Sequence, residues 1–326
     1  MKLMEYINND NNRKIRMPFM GTNGLRLLGY TMDEVYNSPE KQLELAIIMD
    51  ETFDLDFVGA MDDGNIFCET LGVPMKRYDL DFPMVIEHPI DSSEALSRLK
   101  VPNPFKDGRM PTNLKSLELI VKYFEKPVEI SIQGPFTLAV QLGGAQKVLR
   151  SIIKDPKFLD DLLDFTTNTV LEYAKAVESV GVKYISIAEP STIMISPKRY
   201  EHLAAKNLRR IYSNLNCWKA IHICGDTTAI LDFMINFGVD AISLDQIMDL
   251  SEVAKIIPKD IAIIGNFDPI GLAKMKPEEV VKETRRLMDS MKSCSNYIPS
   301  FGCTSLNNTP IENLKVFCST VRNNNY

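Results

Sequence analysis

The sequence predicts an α/β protein built as a single (β/α)8 TIM barrel with an amino-terminal excursion. Three observations predict it. Short β-branched runs alternate with stretches of helical periodicity, about eight such runs occur, and polar residues stand at their carboxyl ends. Alternation of this kind implies parallel strands joined by crossover helices. The expected strands cover 17–20, 56–61, 128–133, 183–188, 218–223, 239–244, 261–265 and 297–301.

The helices between them have legible ends. Asp155-Pro156 and Ser196-Pro197 read as N-caps followed by a first-turn proline, and Thr309-Pro-Ile-Glu312 reads as a capping box. Gly181 and Gly238 each follow an apolar periodic stretch and precede a strand, as a left-handed helix stop does. The proline-rich stretch 82–109 reads as an excursion over the surface, and the Asn-rich termini as frayed ends. No repeat or low-complexity segment interrupts the chain, so residues 1–326 are expected to form one domain.

Composition narrows the function. A 326-residue chain with 45% hydrophobic residues can bury a large core. Net charge −6 and a pI near 5.3, without a basic stripe, argue against nucleic acid. No run of about 18 apolar residues suits a membrane, and the start turns polar too early for a secretory signal, so a cytoplasmic enzyme is expected. In a reducing compartment six cysteines are thiols and not a disulfide framework. Cys68, Cys217, Cys294 and Cys318 read as ordinary half-buried thiols, and His88 and His202 as surface or interhelical residues.

A (β/α)8 barrel carries its active site at the carboxyl ends of its strands. Five consecutive expected strand ends bear Glu189, then His222 and Cys224, then Asp245, then Asn266 and Asp268, then Cys303. Residues two apart on a strand share a face, so His222 and Cys224 can point into one mouth. Taken singly, each reads as a core histidine or a buried thiol. Two thiols and an imidazole at two strand ends of one barrel instead form a ligand set for Zn²⁺, with a fourth position left open for catalysis. Asp245 is expected as an exchangeable fourth ligand and catalytic carboxylate. Glu189 is expected as a catalytic or substrate-binding group, and Asn266 and Asp268 as substrate-binding residues.

Three stretches resemble the uroporphyrinogen decarboxylase superfamily, in its branch of corrinoid-linked methyltransferases. They are His222-Ile-Cys-Gly-Asp-Thr-Thr-Ala-Ile-Leu231, Gly265-Asn-Phe-Asp-Pro269, and Phe301-Gly-Cys303 followed by Thr309-Pro-Ile-Glu-Asn-Leu-Lys315. The resemblance covers most of the chain and is strongest from about Val128 onward. It implies a zinc at His222, Cys224 and Cys303, with an acidic residue at Asp245 able to complete the metal sphere. It further implies methyl transfer between a small thiol acceptor, or a methoxy or methylated donor, and the cobalt of a corrinoid (cobalamin). The chain lacks an Asp-X-His-X-X-Gly motif, so the corrinoid is expected on a partner protein. The decarboxylases' arginine-rich amino-terminal motif has no counterpart in Met17-Pro-Phe-Met-Gly-Thr-Asn-Gly24, which argues against porphyrinogen decarboxylation. A decarboxylase, or a barrel that binds zinc or tetrapyrrole without chemistry, are the alternatives.

Overall fold

The computed structural model describes residues 1–8, 20–61 and 63–323. Seven parallel strands form one curled sheet: β1 (Val58–Gly59), β4 (Val128–Gln133), β5 (Tyr184–Ala188), β6 (Trp218–Ile223), β7 (Ala241–Leu244), β8 (Ala262–Phe267) and β9 (Tyr297–Phe301), in that order. A separate antiparallel pair, β2 (Met75–Lys76) and β3 (Met84–Val85), lies between β1 and β4 in the chain. Sequence and structure therefore agree on seven of the eight expected strands. Of the expected strand 17–20, only Met20 lies within the described residues, and it belongs to no strand. The Asn-rich termini likewise fall largely outside them. The expected strand 56–61 contracts to two paired residues.

These strands are largely buried on both faces because helices cover the outside while the inside faces the sheet's own curve. Every residue of β7 and β8 is buried. Outward-facing Ile185, Ile187, Ile221, Ile223, Ile242 and Ile263 join the large core beneath the helices, each contributing roughly 1.5–3 kcal/mol of burial. Inward-facing positions are mostly small: Ser186, Ala188, Ala220, Ala241, Ser243 and Ala262.

The amino end of the sheet is plugged. Leu3 and Ile7 of helix Leu3–Asn8 pack with Phe57, Tyr184, Ala220, Ala241 and Ala262. Tyr6 packs on Phe57 and Trp218, and the Trp218 indole donates to the Met1 carbonyl at 3.1 Å. At the two ends of the sheet, helix Pro39–Phe53 lies against helix Ile311–Arg322, and Arg322 donates to Asp54 and Asp56 beside β1. With one end plugged, chemistry is left to the carboxyl end.

Helix ends follow the sequence with two exceptions. Asp155 caps helix Pro156–Ser179 through the Phe158 amide, and Gly181 and Gly238 hold left-handed φ of +99° and +77°. Ser196 precedes a first-turn proline but makes no side-chain cap. The capping box expected at Thr309 does not form. Helix Ile311–Arg322 begins after Pro310, and the Thr309 hydroxyl is buried without a partner, because proline at the cap position pushes Thr309 one residue too far out. The stretch 82–109 carries β3 and the short helix Ser93–Ser97.

Candidate metal centre

One rung of the sheet runs across four strands: Gln133, Ala188, His222 and Ser243 are successive register partners. Partners on a rung share a face, so all four point toward the interior near the carboxyl end. His222 Nδ1 is 3.0 Å from Ser243 Oγ, which orients the ring and turns Nε2 toward Cys224 Sγ at 3.3 Å. Cys224 Sγ is 3.7 Å from Cys303 Sγ. The three ligand atoms all lie within 4.8 Å of one another.

Cys303 reaches this place because of Gly302. A Cβ there would meet the Gln246 amide nitrogen at 2.3 Å, so only glycine lets the chain after β9 pass the loop after β7. Its own amide donates to Phe267 O at 2.8 Å, which continues the β8–β9 ladder to the residue before the thiol.

The donor set fits zinc. Two sulfurs held at about 2.3 Å by a tetrahedral ion stand about 3.8 Å apart, and a disulfide would need about 2.05 Å. The observed 3.7 Å matches the first. The thiols also interact with each other. A hydrogen bond from Cys224, with His222 adding its influence, holds Cys303 well below the ordinary thiol range, while that bond and burial push Cys224 far above it. The pair thus readily releases one proton and holds the second, which a bound divalent cation would displace.

Other expected site residues take different positions. Asp245 adjoins the centre, but its carboxylate accepts from Gly225 N at 2.8 Å and Ile247 N at 3.1 Å, pinning the turn that follows Cys224. Glu189 is fully buried. Its oxygens accept from Phe136 N, Thr137 N and Thr137 Oγ1 at 2.7–2.9 Å, tying the end of β5 to the start of helix Pro135–Gly143. Burial pushes its pKa up to about 7 against the lowering effect of those donors. Gly134 makes room for it, since a Cβ would stand 2.3 Å from the Glu189 carboxyl carbon. Asn266 donates to Asp245 O at 2.9 Å and Met248 O at 2.7 Å and so braces the loop carrying Asp245. Asp268 is exposed and caps helix Pro269–Lys274 through Ile270 N at 2.9 Å.

Ser243 and Gln133 were missed by reading strand ends alone. The signal was available, because register places both on the His222 rung. The two remaining histidines behave as expected: His88 and His202 are exposed and bonded to Gln141 O and Asp160. Cys217 and Cys294 are half-buried, while Cys68 and Cys318 are fully buried, deeper than expected. Among the described residues no helix is long and apolar enough to cross a membrane.

A curled parallel α/β sheet with two thiols and an imidazole converging at its carboxyl end defines a class of α/β protein with a candidate metal-ligand set at that end. The chain belongs to the Uroporphyrinogen decarboxylase (URO-D) family, whose sequence profile matches residues 19–324. Within it, the methylcobamide:CoM methyltransferase MtbA of Methanosarcina mazei is 30% identical over 303 residues, covering 90% of this chain and 87% of that protein. The methylcobamide:CoM methyltransferase MtaA of Methanosarcina barkeri is 25% identical, covering 88% and 86%. A solved methyltransferase from Methanosarcina mazei superposes with a TM-score of 0.87 over 98% of this chain and 96% of that one, at 22% identity, and shares the fold.

Proposed function

We propose that this chain is a zinc-dependent methyltransferase that moves a methyl group between a small substrate and the cobalt of a corrinoid carried by a separate protein. The observation that carries the reading is the three-donor set of His222, Cys224 and Cys303, on a chain whose relatives are named methylcobamide:CoM methyltransferases. Bound by these three side chains, zinc would supply a Lewis-acid position that makes a thiol nucleophilic near neutral pH or stabilises a departing heteroatom.

The chain's own residues do the rest. Ser243 fixes the imidazole, as a hydrogen bond to the second ring nitrogen does in most histidine metal sites. Asp245 holds the turn after Cys224 and is the carboxylate we assign to complete the metal's surroundings before substrate enters. Glu189 fixes helix Pro135–Gly143, and Asn266 and Asp268 shape the wall between β7 and β8. The family's (β/α)8 closure, and a single domain over residues 1–326, belong to this reading. Exposed Ile193, Met194, Ile247, Ile270 and Leu306 stand beyond the carboxyl ends of β5, β7, β8 and β9, an apolar rim that suits a docking corrinoid protein.

The test is spectral. Zinc-loaded protein is incubated with methylcob(III)alamin plus thiols, and with cob(I)alamin plus methyl ethers or methylamines. A change of cobalt state with one of these pairs supports the proposal. No change with any of them would overturn it, and consumption of carboxylated porphyrinogens would then put a decarboxylase in its place.

A further inference from the structure

Beside the metal centre lies a cavity of about 220 Å³ between the carboxyl ends of β1, β4 and β5. Thr304, which follows Cys303, lines it, as do Asn65, Phe82, Gln133, Thr137 and Gln141. The volume is below the roughly 300–1,000 Å³ of drug-sized ligand pockets, so it suits a molecule of a few heavy atoms. None of its described lining residues carries a charged side chain.

Most of its amides and hydroxyls are already engaged. Asn65 donates to Pro83 O, Thr137 to Glu189, and Gln141 Oε1 accepts from Cys68 Sγ. Gln133 differs. It is 6% exposed, and its side-chain oxygen is buried with no hydrogen-bond partner among the described residues. A buried amide end left unpaired costs about 1–3 kcal/mol, a cost a ligand can remove. Gln133 also stands on the His222 rung, two strands away, about 10 Å along the sheet. A glutamine side chain and a two-carbon substrate together span that distance.

We propose that this cavity holds the non-reacting end of the small substrate, that Gln133 is its specificity-determining residue, and that the end it recognises is an uncharged hydroxyl. A hydroxyl both donates and accepts, so it pairs with the carboxamide in either amide orientation. A sulfonate or carboxylate would enter a small cavity whose described lining holds no cation and with the Glu189 carboxyl behind Thr137, at the cost of burying an unpaired charge. The inference rests on the methyl-transfer reading and narrows its substrate to small neutral alcohols bearing a thiol or methoxy group.

The experiment uses three thiols that share a reacting sulfur: ethanethiol, 2-mercaptoethanol and 2-mercaptoethanesulfonate. Their binding to the zinc-loaded protein and to Gln133→Ala is measured by calorimetry, with thiolate charge-transfer bands of the cobalt(II)-substituted protein as a second readout. The expected order is 2-mercaptoethanol tightest, with Gln133→Ala weakening it about five- to tenfold and leaving ethanethiol unchanged. Gln133→Lys is expected to raise affinity for 2-mercaptoethanesulfonate. Tighter binding of the sulfonate by the unmodified protein, or an equal loss for ethanethiol in Gln133→Ala, overturns the subsite while leaving the metal reading intact. If ethanethiol itself fails to bind, the metal reading fails and this inference with it.

Discussion

Cys224 and Cys303, 79 positions apart in the chain, place their sulfurs 3.7 Å from each other at the carboxyl ends of β6 and β9. Neither strand is the other's neighbour, so the curl of the whole sheet sets this distance. A loop-built site would tolerate error in one segment; this one requires β6, β7, β8 and β9 all in register. The imidazole then depends on Ser243 of β7, beside β6.

Ser243→Ala removes the hydrogen bond to His222 Nδ1 and leaves the ligands untouched. Zinc affinity, measured by competition with a chromophoric chelator, is expected to fall about 10–100-fold with the melting temperature nearly unchanged. Unchanged affinity would mean that the strand backbone alone orients the ring.

Asp245→Ala frees two backbone amides, Gly225 N and Ile247 N, in a residue only 6% exposed. The expected loss is about 1–3 kcal/mol of stability in urea titrations, accompanied by weaker zinc binding as the Cys224 turn loosens. A variant with weakened metal binding and full stability would assign Asp245 to the metal alone.

Glu189 makes stability depend on pH. Its carboxyl titrates near 4.5 when unfolded and near 7 in the fold, where burial outweighs its hydrogen bonds. Between those values the folded state binds the extra proton, so stability is greatest below about pH 4.5 for this group and falls as pH rises toward 7, by about 3 kcal/mol at most. In metal-free protein, Glu189→Gln is expected to flatten that limb of the urea midpoint profile. An unchanged slope in the variant would assign the pH dependence to other groups.

Arg109 sets the contrast between buried and exposed ion pairs. It is 7% exposed, pairs with Asp63 at 2.6 Å and Glu69 at 2.7 Å, and lies over the Tyr36 ring. Arg109→Met strands the buried Asp63, while Glu69 keeps its pair with Arg77, and is expected to cost about 3–5 kcal/mol. Arg98→Met, which breaks an exposed pair with Glu94, should cost less than about 1 kcal/mol. Equal effects in thermal melts would contradict the burial argument.

The strands and the convergence of the three donors were legible in the sequence because both rest on local rules. β-branched runs of five or six residues announce buried parallel strands, and His222-Ile-Cys224 puts two donors on one strand face. What escaped reading depends on register. Ser243 looks like any strand serine until β7 pairs with β6, and Gln133 until β4 pairs with β5. The contacts of the carboxylates escaped for the same reason. Glu189 and Asp268 stand at strand ends, where function is expected, yet each meets the free amides of a neighbouring helix start first. Thr309 was misread because its capping pattern is correct in residue type, but Pro310 displaces the helix start.

The account turns on one ion held by three side chains with room for a fourth partner. Zinc stoichiometry together with X-ray absorption at the zinc edge tests it most directly. The expected result is one zinc per chain with two sulfurs at about 2.3 Å and a nitrogen at about 2.0–2.1 Å, lost in His222→Ala and in Cys303→Ala while both variants remain folded. Purified protein that takes up no zinc, or whose zinc keeps the same two-sulfur shell after Cys303 is replaced, would contradict it.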